Sequence, residues 1–249
     1  MGGIPIHPWP VRLAHWVGAF SLFAMAGSGL QILGAYPYLG PRGDLAAWYP
    51  LAGWRPPSLV RVGGWLGGAR AWHFTAAWTL LFAALVYAVF LALSGEWRAR
   101  FFMPRRDASH AWQTLKGYLR LAPMPTPNPA ITGAYNGLQR AAYSIAIILS
   151  FIEVLSGLVM WKPVQLSSLG WWMGGYDGAR AIHLLGLFAL GAFVAGHLIM
   201  VLAHPKTLFE MLGGGTRRPI EPVDLEPSSA ARTQSADDPS SSTGKSIDG

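Results

Sequence analysis

One apolar stretch, residues 179–203, constrains this chain more than any other. It reads ARAIHLLGLFALGAFVAGHLIMVLA, long enough to cross a bilayer as a helix, with His183 and His197 near its two ends. The two histidines are 14 residues apart. At about 1.5 Å per residue they lie roughly 21 Å apart along the axis, and at about 100° per residue both leave one helix face. Ionisable side chains inside a membrane are costly and are functional by default. Two histidines on one face, one in each leaflet, point to two stacked cofactors, and each then needs a partner from another helix.

Three more apolar spans supply candidates: about 13–34 with His15, 71–93 with His73 near its start, and 138–161 with Glu153. The 249 residues are 52% hydrophobic and 12% charged, about half the charged share of a soluble domain. The expectation is an all-α integral membrane four-helix bundle. A cleavable signal peptide is the rival reading of the first span, through Ala24-Met25-Ala26, but cleavage there discards His15. The chain has no cysteine, which excludes disulfides, thiolate ligands, iron–sulfur clusters and covalently attached haem. A net charge of +7 is read as basic cytoplasmic loops rather than nucleic-acid binding.

Loop charges set the expected orientation. With both termini inside, 13 Lys and Arg fall on the inner side and 6 on the outer. His15 and His197 then lie near the inner face, and His73 and His183 near the outer. Depth alone sorts the four into two pairs. A short surface helix is expected over 59–66 and an amphipathic interfacial helix over 107–121. Residues 1–213 form the membrane domain, and 214–249, rich in Pro, Ser, Asp and Thr, read as a disordered cytoplasmic tail. No internal repeat is strong enough to claim.

Two neutral imidazoles at one depth can ligate a haem iron from both sides, which favours electron transfer over oxygen chemistry. Three histidines carry an arginine three residues earlier: Arg12-x-x-His15, Arg70-x-x-His73 and Arg180-x-x-His183. This spacing puts both side chains on one face, the arginine toward water. These arginines, and Arg140 at the inner start of the third span, are either partners of haem propionates or interfacial anchors. Gly18 and Gly186, each three residues after a ligand candidate, are expected to leave room for a flat ring. Glu153 is either a bundle hydrogen bond or a proton-handling group.

These residues resemble a known family: the four-helix di-haem cytochrome b subunits of nickel–iron hydrogenases, formate dehydrogenases and thiosulfate reductases. The resemblance rests on Arg12-x-x-His15-Trp16, the histidine opening the second span, Tyr135-Asn136-x-x-Gln139-Arg140, and R-x-x-H with a histidine 14 residues later in the fourth span. Trp161-Lys162-Pro163-Val164-Gln165 and Gly174-Gly175-Tyr176-Asp177 are most similar to thiosulfate-reductase-type members. The likeness covers about residues 7–213.

The resemblance implies two haem b groups, held by His73 with His183 and by His15 with His197. It implies a quinone site beside the inner haem, near His197 and Asn136. It also implies a separate periplasmic catalytic subunit, often a molybdopterin enzyme. Quinone carbonyls need hydrogen-bonding partners, which Asn136 and Gln139 offer; Asn136 is equally placed to cap the third helix. The expected protein is a multi-pass electron-transfer subunit of the bacterial inner membrane, in contact with lipid and quinone, with no substrate chemistry of its own. A small proton-coupled channel using intramembrane histidines is the alternative from another class, and the lack of broken half-helices gives it little support.

Overall fold

The computed structural model describes residues 4–5, 7–40, 49, 51–125, 135–214 and 216–217. The tail from 218 onward and Arg42 lie outside the described residues. Two compact units are present. The smaller contains a two-residue antiparallel strand pair, β1 (Ile4–Pro5) with β2 (Thr216–Arg217), in which Ile4 faces Arg217. The larger, residues 6–215, is helical among its described residues.

Four helices of the larger unit are long and apolar enough to cross a membrane: α1 (Trp9–Ala35), α2 (Leu66–Ser94), α5 (Gly137–Trp161) and α7 (Gly175–Ala203). Three of them start or stop for a local chemical reason. Pro10 sits in the first turn of α1, where a missing N–H costs nothing. Gly95 ends α2 in a left-handed conformation at φ 70°. Asn136 opens α5 with a reciprocal capping box: its side chain accepts from Gln139 N at 2.8 Å, and Gln139 Oε1 accepts from Asn136 N at 3.0 Å.

Shorter helices decorate the ends: α3 (Trp97–Arg100), α4 (Pro104–Tyr118), α6 (Ser167–Trp172) and α8 (Lys206–Gly213). Helix α4 is the interfacial helix expected over 107–121, shifted toward Pro104, which can occupy its first turn. The surface helix expected over 59–66 is not formed. That stretch holds one 3₁₀ turn, Ser58–Val60, followed by Gly63 and Gly64 at φ 102° and 67°, and Leu66 already belongs to α2. The loop instead lies against α1: Val62 N donates to Gly27 O at 3.0 Å, and a Cβ on Gly27 would meet Val62 at 2.6 Å.

Helix α1 packs along α2, and α5 along α7. Their contacts are made by small residues, as in membrane bundles where close backbone approach replaces hydrophobic burial. Ala69, Ala179, Ser28 and Ser156 are all fully buried. Large apolar side chains such as Phe20, Phe82, Leu93 and Leu202 point outward, the pattern of a lipid-facing surface.

Candidate functional site

The four histidines meet as two pairs. His73 of α2 and His183 of α7 have ring centroids 6.1 Å apart. His15 of α1 and His197 of α7 are also 6.1 Å apart. A metal–imidazole bond of about 2.0 Å plus about 1.1 Å from nitrogen to ring centre places two rings about 6.2 Å apart across one metal. Both pairs meet that spacing. Among the described residues no group of three or more His, Cys, Asp or Glu is placed to hold a metal ion. A metal between either pair must therefore bring its remaining donors with it, as a porphyrin does. The residues present fit haem.

The two pairs differ in their surroundings. In the outer pair, His73 Nδ1 lies 3.1 Å from Ser28 Oγ and 3.1 Å from Met25 O. His183 Nδ1 lies 3.0 Å from Ser156 Oγ, 3.0 Å from Glu153 O and 2.9 Å from a carboxylate oxygen of Glu153. The serine hydroxyls donate to carbonyls one turn back, Ala24 O at 2.6 Å and Ile152 O at 2.8 Å. The imidazole Nδ1–H is then the remaining donor in each cluster, and Nε2 keeps its lone pair for a metal. In the inner pair, neither ring makes a hydrogen bond among the described residues. His15 meets Trp16 edge-on at 5.2 Å, and His197 stacks on Phe193 at 6.3 Å and 7°.

Gly18 and Gly186 do not lie against the imidazoles. A Cβ on Gly18 would touch Leu80, and one on Gly186 would fall 1.7 Å from Glu153 Oε1. The glycines against the imidazoles are Gly29, whose Cβ would lie 3.5 Å from His73, and Gly157, 3.3 Å from His183.

The arginines have protein partners. Arg12 donates to the carbonyls of Met211, at 3.1 Å, and Leu212 at the end of α8, where carbonyls lack helical donors. Arg180 donates to Tyr36 O at 2.6 Å, with its guanidinium over the Tyr36 ring. Arg140 is buried, bonded to Asp107 at 2.7 Å and to Ala99 O at 2.8 Å. Arg70 is exposed at the start of α2. Burial pushes the Asp107 carboxyl up, but Arg106, the Met103 N–H and Arg140 outweigh it and hold it down at about 2. The side-chain oxygens of Asn136 and Gln139 are used by their capping box.

The site contains a repeat that a fixed period does not reveal. Adding 128 to the residue number carries Arg12, His15, Met25, Ser28 and Gly29 of α1 onto Arg140, Tyr143, Glu153, Ser156 and Gly157 of α5. Adding 110 carries Arg70, His73 and Tyr87 of α2 onto Arg180, His183 and His197 of α7. The contacts follow the same exchange of helices. Ser28 and Met25 hold His73 as Ser156 and Glu153 hold His183. The outer pair maps onto itself. The inner pair, His15 with His197, maps onto Tyr143 with Tyr87, whose hydroxyls are hydrogen-bonded at 2.5 Å.

Comparison with known proteins gives the family. The family model described as prokaryotic cytochrome b561 matches residues 6–214. The YedZ1 protein of Azospira oryzae, named as a protein-methionine-sulfoxide reductase subunit, is 38% identical over 211 residues, covering 84% of this chain and 96% of that protein. No solved structure matches. The chain therefore belongs to the prokaryotic cytochrome b561 family and is a multi-pass protein of the bacterial inner membrane that carries electrons on haem b.

Proposed function

We propose that the chain holds two b haems, one between His73 and His183 and one between His15 and His197. Through them it passes electrons between the quinone pool and a periplasmic catalytic oxidoreductase subunit of the molybdopterin type. The observation that carries this reading is the pair of imidazole contacts at 6.1 Å, formed at opposite ends of α7. When bound, each haem supplies a one-electron ferric–ferrous couple, closed to other ligands by its two histidines. Ser28, Ser156 and the carbonyls of Met25 and Glu153 orient the outer rings.

Both termini lie in the cytoplasm in this proposal, with 1–213 the membrane domain and 214–249 a cytoplasmic tail. The quinone docks beside the inner site. There the Nδ1–H of His15 or His197 and the amide nitrogens of Asn136 and Gln139 are the available donors to its carbonyls. Arg70 serves an outer propionate. Arg12, Arg140 and Arg180 anchor helix ends first and contribute positive potential to a propionate second. The partner subunit docks on the outer loops, where Trp171 and Trp172 of α6 are exposed; aromatic side chains suit an interface core. The relative's name supports an oxidoreductase partner.

The test is haem per purified chain together with a reduced-minus-oxidised visible spectrum. Two b haems per chain are expected. A ratio of one or zero overturns the proposal. Cysteine placed at Ser168 is expected to label from the periplasm in the free subunit and to be shielded in the complex; labelling from the cytoplasm overturns the orientation.

A further inference from the structure

We infer that Glu153 is a positioning residue for the outer haem: its carboxylate takes the Nδ1–H of His183 and makes that imidazole a stronger donor to iron than His73. The inference rests on the ligand reading proposed above and adds a residue to it.

Four observations carry it. Glu153 lies inside α5, within a membrane span, where an acidic side chain is expensive and is retained for a purpose. Its carboxylate oxygen sits 2.9 Å from His183 Nδ1, with the side chain only 12% exposed. The other oxygen, Oε1, is buried and makes no hydrogen bond among the described residues, so it adds no second tie between those helices. A carboxylate placed only to join helices would satisfy both oxygens. Finally, Gly186 opens the space that Oε1 fills, since any Cβ there would lie 1.7 Å from it. The fourth span thus keeps a glycine where the carboxylate needs room.

The internal repeat supplies a control within the molecule. The position equivalent to Glu153 is Met25, which offers His73 only its backbone carbonyl. Serine and carbonyl contacts are common to both halves, and the carboxylate is present in one. A carboxylate behind a ligating imidazole fixes its tautomer and raises its basicity, and the added electron density favours the ferric over the ferrous state. The outer site is therefore lower in midpoint potential than serine and carbonyl contacts alone would make it. Reduction there adds one electron, breaks no bond, and leaves the proton on Nδ1.

The experiment is a redox titration of intact purified protein, with the two haems resolved by their midpoints and by electron paramagnetic resonance of the ferric forms. Wild type, Glu153→Gln and Glu153→Met are compared. Glu153→Met installs the residue of the other half. The outer midpoint is expected to rise by about tenfold in the reduction equilibrium, about 59 mV for one electron. Glu153→Gln, which keeps an acceptor without the charge, should fall between. The inner midpoint should not move. Gly186→Ala, which pushes the carboxylate aside while leaving Glu153 in the chain, should raise the outer midpoint too. Midpoints that stay put, or that shift together, overturn the inference. Loss of the outer haem from Glu153→Gln overturns it as well, because the residue would then be structural. A wild-type protein with fewer than two haems overturns the ligand reading itself, and is distinguished by haem content alone.

Discussion

The outer and inner histidine pairs have the same spacing and opposite upbringings. The outer rings are each fixed at Nδ1 by a serine and a carbonyl from the neighbouring helix. The inner rings make no hydrogen bond among the described residues and lie against Trp16 and Phe193. The outer site draws on all four spans, because His73 takes its support from α1 and His183 from α5. The inner pair draws its rings from α1 and α7. The lesson is that equal ligand spacing does not imply equal rigidity. In the proposed function, the cofactor of His73 and His183 meets rings already fixed at Nδ1, whereas that of His15 and His197 meets rings with no hydrogen bond among the described residues.

The severest way to break this comparison is to remove one ligand. His183→Ala is expected to halve the haem content and delete the outer midpoint, leaving the inner one in place, as read by haem assay and redox titration. Loss of both haems from folded protein would show that the sites are not independent.

Next in size is the anchor at the inner end. Arg140 and Asp107 form a buried ion pair, and Asp107→Asn should cost about 3–5 kcal/mol by removing the negative charge opposite a buried guanidinium. Thermal unfolding in detergent measures it. The pH dependence has a definite sign. Asp107 is held from 3.8 down to about 2, so its contribution is full above pH about 4 and is lost as pH falls toward 2. Asp107→Asn should flatten that acid-side loss.

A sharper probe of the contrast is Ser28→Ala combined with Ser156→Ala. The outer haem should dissociate roughly tenfold faster, by the usual effect of removing groups that orient a ligand, with the inner haem unchanged. Equal loosening of both would erase the distinction. The smallest effect belongs to Asn136→Leu. Losing the cap should cost about 1 kcal/mol in thermal stability. Stopped-flow reduction by a quinol analogue should slow while both haems remain. Unchanged rates would leave Asn136 with the cap alone.

The four spans were legible because each is a continuous apolar run, and the pairing of the histidines because two lie toward each end of the spans. The serines behind them were not legible. Serine bonded back to its own helix is common in membrane spans, and only the fold shows which ones also meet a ring. Gly29 and Gly157 were not legible either, because they reach the imidazoles from neighbouring helices and have no sequence adjacency to the histidines they meet. The repeat was hidden for two reasons. The α1–α2 connection takes residues 36–65 while the α5–α7 connection takes 162–174, so no single offset aligns both helices. In addition, the counterpart of His15 is a tyrosine.

That tyrosine gives the bundle a handedness of composition. In a molecule of two similar hairpins, whatever lies on the dividing axis is shared by both halves and occurs once, while anything off the axis has a twin. The outer pair is the shared one. The inner pair has its twin across the bundle, and there the imidazoles are replaced by Tyr87 and Tyr143, closed on each other by their own hydroxyls. The end that holds His73 and His183 is thus nearly even-handed, and the end that holds His15 and His197 is not: one flank presents imidazole, the other phenol. A small carrier arriving laterally through the lipid meets two chemically different walls, and only one of them borders the histidines.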